Sequence, residues 1–201
     1  QAPRRGEPQP ARGLHCHDEV LYLACAEAGQ VLRCDRQGKV LQRWGTEGEQ
    51  AGGWYDPHSL ALGGEGRLAV SDAGRDAVHW LAPVSASRLP AQAFTVSDDL
   101  LYPAGVAWAA DGSLLVVDEG LGPLGGQRVQ RYDEAGRLVA QWGAWGALPG
   151  DLWAPVGVAV SDGGRVYVAD PGRAEVSVYG PAGQYLFAFG GYGTGLGELD
   201  N

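Results

Sequence analysis

Leu152 to Gly190 reads LWAPVGVAVSDGGRVYVADPGRAEVSVYGPAGQYLFAFG, and its punctuation decides the fold. Four short runs rich in β-branched and aromatic residues are Val156 to Val160, Arg165 to Ala169, Val176 to Tyr179 and Tyr185 to Phe189. They are separated by Asp162-Gly163-Gly164, Pro171-Gly172 and Pro181-Ala182-Gly183. Runs this short, cut by Gly, Pro and Asp, predict a four-stranded antiparallel meander. One such sheet cannot bury both of its faces, so it needs neighbours of its own kind.

The rest of the chain supplies them. Arg67 to Asp72 (RLAVSD) aligns with Arg165 to Asp170 (RVYVAD), and the match runs back without a gap to Pro57 against Pro155. Leu101 to Asp118 (LYPAGVAWAADGSLLVVD) repeats the same unit, and Val20 to Gly45 aligns with Arg165 to Gly190. Pro10, Pro57, Pro103 and Pro155 open the repeats, giving steps of 47, 46 and 52 residues. The chain therefore divides into a polar, Pro-rich arm over 1–9 and four repeats over 10–56, 57–102, 103–154 and 155–201. An unpacked arm of that composition is expected to be poorly ordered.

The repeats differ in informative places. The first strand of repeat one, Gly13 to His17, carries His-Cys-His where the others are aliphatic or small. Repeat two has an altered fourth strand near Ala93 to Val96 and lacks the aromatic-Gly pair found at Trp44-Gly45, Trp142-Gly143 and Phe189-Gly190. Repeat three inserts Leu121 to Gly125 between its second and third strands, which marks a surface loop and a candidate for individual function.

Composition excludes some function classes. The formal net charge of -9 argues against a nucleic-acid partner, because phosphate binding relies on Lys and Arg; plain solubility explains an acidic surface. No apolar run approaches the roughly 20 residues of a membrane helix. With no Met and a Gln1-Ala2-Pro3 start, the first residue is not expected to be a translation start, and an extracytoplasmic or secreted location is the weak lean. Cys16, Cys25 and Cys34 are odd in number, so at least one is free or pairs outside the chain; their apolar strand slots predict buried thiols.

The pattern P-x-G-V-A-V-x-x-x-G-R-V-Y-V-A-D from Pro155, followed by Val176-Ser177-Val178-Tyr179, Gly183 and Phe189-Gly190, resembles the NHL repeat. The resemblance extends from Pro10 to Asn201 and is strongest in the fourth repeat. It implies an all-β fold, a β-propeller of four-stranded antiparallel blades, with each inner strand lining a central channel. Such propellers commonly have six blades, so four repeats imply an arc of a larger ring, with its remainder in a partner or outside this sequence, over a closed four-bladed ring. The family includes protein- and RNA-binding modules of ubiquitin ligases, ligand-sensing domains of bacterial receptor kinases and an amidating lyase.

Alternating strands place the start of strand one and the end of strand two on one side of each sheet. That side carries His58, Ser59, Asp72, Arg75, Asp118, Glu119, Asp170 and Arg173, together with the insertion, and it is the expected binding face. Recurrence of Asp72, Asp118 and Asp170 at one slot, with Cys25 in its place in repeat one, predicts a structural role in which each Asp caps backbone N–H groups of the following turn. His15 and His17 share a strand face and form half of a metal site at most, since no second pair has ligand spacing. Among the seven Trp, all but Trp145 are expected between blades; Trp145 and Tyr192 sit on Gly-rich connections, where inter-blade packing is favoured over a protein or glycan contact. There is no G-x-S-x-G, Walker loop or H-E-x-x-H. The sequence is thus expected to encode a non-enzymatic protein-interaction or scaffold module without a cofactor. A channel-bound metal-dependent lyase or hydrolase and a small-ligand sensing domain are the alternatives.

Overall fold

The computed structural model describes residues 11–45, 53–81, 92–97 and 99–199; the arm over 1–9 lies outside them. Sixteen strands form four separate four-stranded antiparallel sheets. The first sheet is β1 (Gly13–His17), β2 (Val20–Cys25), β3 (Gln30–Asp35) and β4 (Val40–Trp44). The second is β5 (Pro57–Leu62), β6 (Leu68–Asp72), β7 (Ala77–Leu81) and β8 (Gln92–Val96). The third is β9 (Pro103–Trp108), β10 (Leu114–Asp118), β11 (Arg128–Tyr132) and β12 (Leu138–Trp142). The fourth is β13 (Gly157–Val160), β14 (Val166–Asp170), β15 (Glu175–Tyr179) and β16 (Tyr185–Gly190). Each sheet is one blade, numbered here first to fourth, and each is a meander as expected. Among the described residues no helix is long and apolar enough to cross a membrane.

The repeat is visible below the level of strands. All four blades shift register at the same point of the third-to-fourth strand pairing: at Arg33/Cys34, Trp80/Leu81, Arg131/Tyr132 and Val178/Tyr179. A bulge there increases the local twist of the outer strand. The aromatic-Gly pairs have a backbone cause, since Gly45, Gly143 and Gly190 have φ of 85°, 86° and 110°, a conformation open to Gly and costly for other residues.

The blades pack face to face in series, with β1 against β5, β5 against β9 and β9 against β13. Gly13 and Gly105 allow that approach: a Cβ on Gly13 would meet the backbone of His58 and Ser59, and one on Gly105 the backbone of Val156 and Gly157. Three apolar cores lie between successive blades. Tyr22, Val31 and Trp44 meet Trp54, Leu60, Val70 and Leu81; Val78 and Trp80 meet Val106, Val116 and Tyr132; Val117 and Val129 meet Leu152, Val168 and Tyr179. Hydrogen bonds cross the joints as well, from Trp108 Nε1 to the Ala61 carbonyl (3.1 Å) and from the Tyr179 hydroxyl to the Gly150 carbonyl (3.0 Å).

The series ends open. Leu60, on the face the second blade turns to the first, is 3% exposed, whereas Leu14, in the same slot of the first blade, is 64% exposed. The molecule is therefore an arc rather than a closed four-bladed ring. This also corrects the expectation for Cys16: it lies on that uncovered face and is exposed, while Cys25 and Cys34 are buried free thiols as expected. Trp153, expected between blades, is exposed too, because Leu152 fills the inter-blade slot that Trp54 fills one joint earlier.

Candidate functional site

The three repeated carboxylates settle on one geometry. Asp72 accepts hydrogen bonds from Tyr55 N (3.0 Å) and Asp56 N (2.8 Å), and Asp170 from Trp153 N (2.7 Å) and Ala154 N (3.0 Å). Asp118 accepts one from Leu101 N (2.8 Å), with Arg128 3.3 Å from its other oxygen. All three are buried. Each fastens the segment that precedes its own blade's inner strand, not the turn that follows, because that approach segment carries unpaired N–H groups as it crosses from the blade before. Asp72, Asp118 and Asp170 thus stand behind the mouth and do not reach its surface. Losing one acceptor of two buried N–H groups costs about 1–3 kcal/mol. Asp170→Asn is accordingly expected to lower the urea midpoint of unfolding without changing the slope, and an unchanged midpoint would show that the two N–H groups find other partners.

Arg75 and Arg173, the repeated arginines, are also bound to the chain itself. Arg75 donates to the Gly53 carbonyl (2.7 Å), and Arg173 donates to the Gly146 carbonyl (3.1 Å) and to Glu175 (2.6 Å). Ser59 lies between inner strands, its N–H donating to Ser71 Oγ, which in turn donates across to the Ala104 carbonyl (2.7 Å). The insertion forms a one-turn 3-10 segment, Gly122–Leu124, with Leu121 and Leu124 exposed.

What reaches the mouth is a polar cluster drawn from three blades. Arg12, just before β1, lies 3.4 Å from the Asp56 carboxylate and donates to the Tyr102 hydroxyl at 3.3 Å. That hydroxyl also donates to Asp56 (3.4 Å), and the Tyr102 ring stands 6.0 Å from the His58 ring. Tyr102 has φ of 62°, a strained value for a bulky residue. Its N–H is held by Asp76 (2.8 Å) and its carbonyl by Glu119 N (3.2 Å), so neighbouring blades over-determine the conformation.

Electrostatics follow from this packing. Burial, then the nearby Arg12 charge, lowers the His58 pKa despite the opposing Asp56 carboxylate, favouring the neutral imidazole. Its Nδ1 is buried without a hydrogen-bond partner. Burial raises the Glu119 pKa, and Arg12 opposes that shift. Of the expected binding residues, His58 and Glu119 join this cluster; Arg12, Asp56 and Tyr102 were missed. A signal existed: the residue before each repeat-opening proline varies, being Asp56, Tyr102 and Ala154.

The opposite end of the inner strands holds a groove of about 400 Å³, lined by His17, Leu62, Trp108, Val160 and Asp162 among others. Arg67 lies over the Trp108 ring at 5.1 Å. His17 is exposed and 3.3 Å from Asp18, and burial lowers the pKa of His15. Among the described residues no group of three or more His, Cys, Asp or Glu stands close enough together to hold a metal ion.

With this geometry in hand, comparison with known proteins gives a consistent family and fold. Residues 152–179 match the NHL repeat. A segment of 66 residues, 33% of this chain, is 39% identical to the RING finger protein nhl-1 of Caenorhabditis elegans, covering 7% of that protein. Among solved structures, U3-55K superposes with a TM-score of 0.70 at 16% identity, over 94% of this chain and 54% of that one. Virginiamycin B lyase from Staphylococcus aureus, in a complex with quinupristin, gives 0.67 at 11% identity, over 92% and 57%. A streptogramin B lyase gives 0.64 at 12% identity, over 88% and 53%. The chain spans about half the length of these solved chains, and identities this low speak for the β-propeller fold alone.

Proposed function

For an NHL-repeat chain folded as an arc of propeller blades, we propose a non-enzymatic role: a protein-interaction module that receives its partner at the mouth formed by Arg12, Asp56, His58, Tyr102 and Glu119. The observation that carries this reading is the left-handed backbone of Tyr102, with φ of 62°. That strain holds the phenol where residues of the first and second blades meet it, and strain is retained where a fixed surface is useful. A rigid aromatic beside an Arg is the composition of interface anchors. The fold by itself carries no function, so the argument rests on this surface. Its test is capture of binding proteins by the wild type and by Arg12→Ala/Tyr102→Phe, followed by affinity measurement with each purified partner. Binding at the mouth weakens at least about 30-fold in the variant. Unchanged affinity for every partner would place the interaction elsewhere.

A small-ligand role is the second reading, supported by the groove at the other end, whose volume of about 400 Å³ falls in the range of small-molecule sites. Ligands whose thermal stabilisation of the chain survives Arg12→Ala/Tyr102→Phe but is lost in His17→Ala/Asp162→Ala would favour it. The lyase alternative lacks a donor set: His15 and His17 have no third His, Cys, Asp or Glu grouped with them among the described residues.

A further inference from the structure

We propose that two copies of this chain associate head to tail, the bare face of the fourth blade in one copy packing on the bare face of the first blade in the other. The argument starts from the three joints already built. In each, one blade offers its trailing face, toward the next repeat, and the following blade offers its leading face. Trp54, Leu100 and Leu152, from the segments that approach the second, third and fourth blades, are buried in these joints. Leu199 continues the series: its N–H bonds the Gly191 carbonyl (2.8 Å) as Leu152 N–H bonds the Ala144 carbonyl (2.8 Å). Yet Leu152 is fully buried and Leu199 is 42% exposed. Phe187 and Phe189, on the trailing face of the fourth blade, are exposed beside it.

The first blade carries the matching half. Its leading face presents Leu14 and Cys16 to solvent, above a small core of Cys25, Leu32 and Cys34 with Leu21, Leu23 and Val40. One molecule therefore bears both halves of an interface that its own repeats form three times. Heterologous contacts of this kind close into a ring when the rotation allows it. Two copies would give eight blades, within the usual range of about four to eight for propellers. The similar solved chains are nearly twice as long, so two copies supply the length that one of them carries. Such a ring forms the contact twice and leaves neither apolar face in water. The surface is distinct from the mouth, so its failure would leave the proposed partner site untouched.

Light scattering behind size exclusion, on the full 201-residue chain over a range of concentrations, is the test. The expected particle has twice the 21.1 kDa of one chain. Leu14→Glu and Phe189→Glu alter exposed side chains on opposite faces. Each alone weakens association about 30-fold or more. Mixed together they regain a dimer through their one unaltered pair of faces. Maleimide modification of Cys16 should slow as the dimer forms and stay fast in Leu14→Glu. A wild type that stays monomeric at about 100 μM, as when other blades are the natural cover, overturns the proposal. So does a dimer broken by Leu14→Glu but indifferent to Phe189→Glu, which would mean that two leading faces meet each other.

Discussion

Trp44→Ala is expected to lower the unfolding free energy by about 3–5 kcal/mol, and Phe189→Ala, in the same slot of the repeat, by less than about 0.5 kcal/mol in the monomeric chain. The two aromatics close the same outer strand and are followed by the same left-handed Gly, so local structure does not separate them. Neighbours do. Trp44 is 2% exposed, stacked on Tyr22 at 6.1 Å and packed against the second blade, whereas Phe189 is 52% exposed. Truncating Trp44 removes apolar burial and leaves a cavity; truncating Phe189 removes contacts it mostly makes with water. Urea unfolding followed by far-UV circular dichroism at sub-micromolar protein measures both. Equal losses would mean that the trailing face of the fourth blade is covered within a single chain, and the arc would be wrong.

Stability that falls as pH rises from about 4 to about 7 is the second large effect, and Asp118 is its source. Burial pushes its pKa up to about 7, against the opposing pull of the Leu101 N–H and of Arg128. A carboxyl that binds its proton more tightly in the folded chain contributes fully below its unfolded pKa, near 4, and loses that contribution as pH climbs through the folded value. The loss is on the order of 2–4 kcal/mol, complete above about pH 7. Asp118→Asn should flatten this slope and cost little at pH 8. Asp72 works in the opposite sense. Its burial raises the pKa, but His79 and the N–H groups of Asp56 and Tyr55 outweigh it and leave it lowered. Its contribution is present above the unfolded value and is lost only as pH falls through the lower folded one. Unfolding free energies measured from pH 4 to 8 on the wild type and Asp118→Asn separate the two. A wild-type curve flat over that range would contradict the assignment to Asp118.

Three Asp at one slot of the repeat therefore have unequal consequences, which the alignment hides. Asp170 accepts two N–H groups within 3.0 Å, and Asp118 accepts one and faces Arg128. The difference arises because the insertion after Asp118 changes the route of the chain past it, with Gly120 N–H bonding the Leu101 carbonyl (2.8 Å). A repeat reveals which residues are structural. It does not reveal how well each is satisfied.

Much of the fold was legible because it is local. Strand ends, Gly turns and the repeat step follow from alternation of apolar residues and from backbone conformations that only certain residues adopt, and both are written along the chain. Gly13 to His17 and the insertion after Glu119 were located this way. The candidate mouth was only half legible. His58 and Glu119 could be placed on the right side, but Arg12, Asp56 and Tyr102 come together from three blades, and their meeting depends on the left-handed turn of Tyr102 and on how closely the inner strands approach.

By itself the sequence determined four β blades in order, because periodicity of two and turn chemistry act over a few residues and need no distant partner. Only the tertiary structure decided that the ends of the series are open, that Cys16 and Leu14 meet solvent, and that the repeated Asp residues lie behind the mouth. Burial belongs to pairs of blades: identical slots become core or surface according to whether another blade stands against them.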